Sequence, residues 1–109
     1  MASIFTRIID RDLPARIFYE DDEVIVIADH SPKAEVHLLI IPKAETTTFY
    51  DTPPETLAMM NRTARMIAEK LGVTGWFRLI INNGYCQEVD HVHFHFLSTR
   101  GAENLTWIE

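Results

Sequence analysis

Apolar residues along this chain fall in short clusters broken by charges and prolines, and their period changes from one stretch to the next. Ser3 precedes Ile4, Phe5, Ile8 and Ile9, a spacing that predicts a short amphipathic helix with Ser3 as its N-cap. From Ala15 to Asp29 the pattern becomes Ile17 and Tyr19, then Glu20-Asp21-Asp22-Glu23, then Val24-Ile25-Val26-Ile27, which reads as strand, polar turn and strand. Asp29-His30-Ser31-Pro32-Lys33 supplies turn residues, and Val36 to Ile41 is a third strand that Pro42 should stop. The plainest helix starts at Thr52-Pro53-Pro54-Glu55, with Thr52 as cap, Pro53 at the first helical position and Glu55 closing a capping box. Its stripe is Leu57, Met60, Ala64, Ile67, Ala68 and Leu71, and Gly72 ends it. Trp76 to Ile81 and His91 to Leu97 are two more strand-like runs; the tail from Gly101 to Glu109 has no clear period. The expectation is an α+β fold: about five antiparallel strands, one long helix packed on the sheet, and one short helix.

Composition narrows the setting. A chain of 109 residues with 47% hydrophobic residues can bury one core, so residues 1–109 are expected to form a single domain. No apolar run approaches the roughly 20 residues of a membrane helix, and Met1 to Arg11 lacks a signal-peptide pattern, so a cytoplasmic protein with no membrane partner is expected. Cys86 is the only cysteine, which rules out an internal disulfide and fits a buried, inert thiol in a reducing compartment. A net charge of −6 argues against grip on a nucleic acid polymer, which takes a basic face. It leaves room for a small phosphorylated ligand held by local donors.

Candidate chemistry lies in His91-Val92-His93-Phe94-His95-Phe96-Leu97, which holds three of the five histidines. On a strand, a period of two puts the imidazoles on one face and Val92, Phe94 and Phe96 on the other. Same-face neighbours stand roughly 6 to 7 Å apart, so one small anion or one metal ion can touch more than one ring. Displacement at phosphorus suits such a row: a neutral imidazole attacks, and a neighbouring imidazolium protonates the leaving group. Close neighbours cannot all be charged without mutual cost, so proximity divides the roles. A zinc site is the competing reading of the same pattern.

The His-x-His-x-His-x-x run resembles the signature of the histidine triad (HIT) family. The likeness extends through Ile4-Phe5 with Ile8-Ile9, Pro14-Ala15, Tyr19-Glu20-Asp21-Asp22, Asp29 before Ser31-Pro32, His37-Leu38-Leu39-Ile40-Ile41-Pro42-Lys43, Phe77-Arg78, Asn82 and Gln87. It is closest to the compact branch of histidine triad nucleotide-binding proteins. That resemblance implies a homodimer with a continuous sheet and a nucleotide, or nucleotide conjugate, held beside each triad. It implies that His93 takes the nucleotidyl group from an α-phosphate as a covalent intermediate that water hydrolyses. His95 would contact phosphate and handle protons, His91 would orient the site, and His37 would join from a neighbouring strand. It further implies Asp29 on the ribose hydroxyls, Asn82 and the backbone near Gln87 on the phosphate side, and Phe5, Ile8 and Ile27 walling a purine base. No cofactor is required on this reading, with zinc only an adventitious guest.

Read alone, Asp29 is as well explained as a turn residue, the three apolar residues as plain core, and His30 as an exposed turn histidine. The chain also departs from the pattern. Gly84-Tyr85-Cys86-Gln87-Glu88 is two residues shorter than the usual loop and places Glu88 on the leaving-group side, where its charge would repel a phosphate. Glu45 stands where many relatives have a second outlying histidine, and Ser98-Thr99-Arg100 replaces Gly-Gly-Arg. Trp107 corresponds to a C-terminal tryptophan that reaches across the dimer in relatives. A non-catalytic nucleotide-binding dimer is therefore the second functional expectation, and a metal-binding protein the third.

Overall fold

The structure, a computed structural model, describes residues 2–109. Ser3 starts α1 (Ile4–Ile9) as expected, its Oγ accepting the Thr6 N–H at 3.0 Å. The hairpin is β1 (Ile17–Glu20) and β2 (Val24–Ala28), with Asp21 Oδ1 in the turn accepting the N–H groups of Glu23 and Val24. β3 runs Val36–Pro42, α2 Pro54–Leu71, β4 Arg78–Ile80 and β5 Phe94–Ser98. A 3-10 turn at Ala102–Asn104 was not legible in the sequence. The strands form one antiparallel sheet in the order β1-β2-β3-β5-β4. No helix of the described residues is long and apolar enough to cross a membrane.

The sheet divides two cores. Val24, Val26, Val36, Leu38, Ile40, Phe94 and Phe96 face α2, which buries Met59, Met60, Ala64, Ile67, Ala68 and Leu71 against them. The opposite face carries Ile25, Ile27, Leu39 and Ile41, covered by Phe5 and Ile8 of α1. The period of two thus sends alternate residues of β2, β3 and β5 to different helices. His37 and His95 occupy the α1 side, because each flanks residues committed to the other core.

Several boundaries differ from expectation. Thr52 does not cap α2: it is buried, its hydroxyl donates to the Thr48 carbonyl at 2.6 Å, and the cap falls on Pro53, with no side-chain cap bond. Gly72 does end the helix, at φ 72°, its N–H reaching the Ala68 and Glu69 carbonyls. The triad strand is shorter than the histidine run. β5 starts only at Phe94, because His91 and Val92 spend their N–H groups on the Val89 and Thr46 carbonyls, and the facing end of β3 is Pro42, which has no N–H to offer. His91 and His93 therefore sit on a loop leading into the strand. Cys86 is exposed, not buried, at φ 63°.

The tail, unassigned by its sequence, lies along β1: Ile108 donates to the Ile17 carbonyl and Ile17 to the Glu109 carbonyl, both at 2.8 Å. Trp107 packs edge-on against Phe18 with the Arg16 guanidinium 4.1 Å from its ring, so within this chain it closes its own sheet edge. After β5 the chain turns at Gly101, at φ 88°, where an added Cβ would lie 2.8 Å from the Leu71 carbonyl and from Val73 Cγ1. Gly101→Ala should therefore cost about 1–3 kcal/mol of unfolding free energy, read as a lower denaturant midpoint with an unchanged slope.

Candidate active site

Four imidazoles meet on the α1 side of the sheet. β3 contributes His37 and β5 contributes His95; His37 pairs with Leu97 across the ladder, so the two are diagonal neighbours and their rings bridge the gap, His37 Nε2 to His95 Nδ1 at 2.9 Å. His93 lies beside His95, ring centroids 5.0 Å apart, and Phe5 of α1 stands edge-on to His93 at 5.0 Å and to His91 at 5.8 Å. His37, His91 and His93 are buried and His95 is half-buried.

Hydrogen-bond partners assign the ring protons. His93 Nδ1 lies 2.8 Å from the His91 carbonyl, which can only accept, so Nδ1 carries the hydrogen and Nε2 keeps its lone pair. No fully buried side-chain nitrogen or oxygen among the described residues lacks a partner, and His93 Nε2 has none, so Nε2 is where this buried ring meets the surface. His37 is set the other way. Its Nδ1 accepts the Lys33 backbone N–H at 3.1 Å, so Nε2 carries the hydrogen and donates to His95 Nδ1. His95 is left with its hydrogen on Nε2. His91 donates from Nε2 to the Pro42 carbonyl at 2.8 Å and accepts the Ser3 hydroxyl at Nδ1, at 2.6 Å. Every ring is thus specified as neutral.

Burial acts in the same direction. It is the largest influence on all four rings and holds each below the ordinary histidine range. For His93, the bond to the His91 carbonyl and the more distant Asp29 oppose burial, whereas His95 and His91 reinforce it. For His95, His37 lowers the value further, while Asp29 and Glu88 raise it, which places the Glu88 charge within reach of this ring.

Asp29 is both a turn residue and a site residue. Its Oδ1 accepts the Ser31 N–H at 2.8 Å while Oδ2 stands 3.4 Å from His37 Nε2. Donor atoms of Asp29, His37 and His95 all lie within 4.8 Å of one another, a set with the chemistry to hold a metal ion. The metal-capable group is therefore not the three histidines of the sequence motif. Phe5, Ile8 and Ile27 are buried in the smaller core, and of these Phe5 touches the rings. Asn82 is half-buried two residues beyond Ile80, the β4 partner of His95. Gln87 is a loop brace: its Nε2 donates to the Thr47 and Val89 carbonyls, its Oε1 accepts the Gly84 N–H, and its own N–H reaches the Gly84 carbonyl. Glu88 and His30 are exposed.

Sequence reading missed the parts that set the ring protons. Lys33 N–H and the Pro42 carbonyl are backbone groups and carry no residue signal. Ser3 was legible as a helix cap, but its bond to His91 spans 88 positions and has no local trace. Two clefts, of 480 and 430 Å³, open elsewhere beside the sheet and neither is lined by a histidine. The candidate site is identified by side-chain chemistry, not by concavity.

A two-core α+β sheet carrying a neutral imidazole cluster at the end of one strand defines a compact domain with a histidine-based site. The chain belongs to the HIT family: the HIT domain family model matches residues 10–102. An uncharacterised HIT-like protein of Synechocystis is 41% identical over 103 residues, 90% of each chain. The adenylylsulfatase HINT1 of Arabidopsis thaliana is 32% identical over 112 residues, 96% of this chain and 74% of its own. A HIT family hydrolase from Legionella pneumophila shares the fold at a TM-score of 0.86 and 33% identity, covering 91% of this chain and 94% of that one.

The buried neutral rings make stability depend on pH. Their folded pKa values lie below the roughly 6.5 of an unfolded histidine, so their contribution is full above that value. As pH falls below it, the unfolded chain takes up protons that the folded rings refuse. Unfolding free energy should fall progressively as pH drops below about 6.5, and His91→Asn should flatten that slope in denaturant titrations at each pH.

Proposed function

We propose that the protein is a nucleotide hydrolase of the HIT family that cleaves a bond at the α-phosphorus of a purine nucleotide conjugate through a nucleotidyl adduct on His93. The observation that carries this reading is the fixed tautomer of His93, with Nδ1–H held by the His91 carbonyl and Nε2 open at the surface. Adenylylsulfatase activity in the Arabidopsis relative supports an adenylyl group as the part transferred.

The first step forms a bond from His93 Nε2 to the α-phosphorus and breaks the bond from phosphorus to the leaving group, which departs with the electron pair. The ring becomes a phosphorylated imidazolium whose Nδ1–H stays on the His91 carbonyl, a charge-assisted bond stronger than the neutral one. Water then attacks phosphorus, the P–N pair returns to Nε2, and the water proton leaves to solvent. His95 Nε2–H, held outward by the His37 bond, donates to the charge that grows on the oxygens. The sequence led us to expect an imidazolium acid here. A neutral donor instead suits a leaving group that departs as an anion, such as sulfate, or an amine already protonated in the substrate. Asp29 beside His37 supplies the acceptor for ribose hydroxyls.

Incubation with adenylyl sulfate and with an adenylylated amine, quenched in alkali, should leave a nucleotidyl mass on the peptide holding His93. His93→Ala should abolish the adduct and lower turnover at least about a thousandfold. Tight nucleotide binding without adduct or turnover on either substrate would favour the non-catalytic reading. The reaction as written uses imidazoles alone, so chelator should leave it unchanged. Added zinc should inhibit, because a metal on Asp29, His37 and His95 displaces the His37 Nε2 proton that orients His95.

The partner in the assembly is proposed to be a second copy. β4 is an uncovered edge strand whose neighbourhood exposes Trp76, Phe77 and Leu79, with Phe77 stacked on Phe96 at 4.7 Å. An apolar open edge invites pairing, and antiparallel addition of another β4 would continue the sheet. Sedimentation should give a dimer, and Leu79→Arg should give a folded monomer.

A further inference from the structure

We infer that Glu45 is a positioning residue for the nucleophile, acting through Ser3 and His91 as part of a strap that follows β3; this deepens the proposed His93 chemistry and rests on it. Beyond Pro42 the chain crosses the loop that carries His91 and His93. Three consecutive residues of the crossing each hold a different segment. Glu45 Oε1 accepts from the Ser3 backbone N–H at 3.1 Å and from the Thr6 hydroxyl at 2.5 Å, fixing the first turn of α1. The Thr46 carbonyl accepts the Val92 N–H at 2.7 Å, between the two triad histidines that precede β5. The Thr47 carbonyl accepts Gln87 Nε2 at 2.6 Å, in the loop that ends near Glu88.

From Glu45 the connection continues without a gap to the reacting atom. The carboxylate sets the position of Ser3, and the Ser3 hydroxyl donates to His91 Nδ1 at 2.6 Å. His91 Nε2–H anchors the ring on the Pro42 carbonyl, and the His91 carbonyl receives His93 Nδ1–H, both at 2.8 Å. Glu45 Oε1 also lies 3.8 Å from His91 Nδ1 itself. The same turn of α1 carries Phe5 against His93. Without the carboxylate, the Ser3 and Thr6 donors lose their common acceptor and the first turn of α1 is free to shift. The His91 ring then loses the partner that fixes its tautomer and plane, and the carbonyl that orients His93 moves with it. Glu45 touches no reacting atom, and its side chain is exposed, so its removal should leave the fold intact.

The test is Glu45→Ala beside Glu45→Gln, in the full chain, with adenylyl sulfate as substrate. The alanine variant should lose kcat about tenfold with KM within about twofold, since misorientation of an attacking group acts on the chemical step. The glutamine variant keeps an oxygen acceptor for both donors and should retain most of kcat. Imidazole nitrogen spectra should show His93 as a single Nδ1–H tautomer in the wild type and in Glu45→Gln, and as a mixture in Glu45→Ala. Wild-type kcat in the alanine variant, or an equal loss in both variants, or an unchanged His93 tautomer in Glu45→Ala overturns the inference. Absence of turnover in the wild type would instead defeat the hydrolase reading, and the spectra would still decide the role of Glu45.

Discussion

The rest of the site depends on the burial of His91 with three of its polar groups engaged at once. Its two ring nitrogens and its carbonyl bind Ser3, Pro42 and His93, so one residue ties the start of α1, the end of β3 and the His93 ring together. A buried polar group left without a partner costs roughly 1–3 kcal/mol, so each of these bonds is enforced by the penalty for losing it. That penalty makes the His93 tautomer a property of the fold. An exposed histidine would exchange its ring proton between nitrogens freely; this one is held with Nε2 as the acceptor.

Placement of this cluster follows from how the sheet is shared. α2 covers one face with a broad apolar stripe, leaving β3 and β5 free to present His37 and His95 on the other. α1 is only Ile4–Ile9 and covers only part of that second face with Phe5 and Ile8. A longer helix there would cap the histidines as well. The short one buries their flanks, lowering their affinity for protons, and leaves the edge where His93 Nε2 and His95 Nε2 emerge. The low pKa values and the accessible lone pair thus share one cause, partial cover by a short helix.

Much of this is legible in the sequence alone. The hydrophobic periods gave the five strands and both helices in order, and the alternation through Val92, Phe94 and Phe96 correctly sent those residues to the core. The identity of the clustered histidines was legible too, including His37 from β3. What failed were features decided by backbone pairing. Thr52 has the right residue type for a cap, but tertiary contacts recruited its hydroxyl to Thr46 and Thr48. The His91 to Leu97 run has perfect strand alternation, but Pro42 opposite its first half denies it a ladder. The bracing role of Gln87 left no trace either, because its amide partners, the Thr47 and Val89 carbonyls and the Gly84 N–H, are backbone groups brought to it by the fold. A residue pattern reports which way side chains alternate; it does not report which backbone groups are left to bind them.

The direction of the ring protons also bears on the departures from the family pattern. Glu88 near His95 would be an obstacle if that ring had to carry charge opposite an anionic substrate, because the carboxylate would compete for it. With His95 neutral and its Nδ1 committed to His37, the ring acts as a donor only, and Glu88 raises its affinity for protons without supplying one. Among the four rings, the influence of Glu88 falls on His95 and not on His93. Glu45 contributes in another place and by another means: its charge is spent on the donors of α1, and what reaches His93 is orientation. The two acidic residues that set this chain apart thus bear on different rings, Glu88 on the proton affinity of His95 and Glu45 on the orientation of His93.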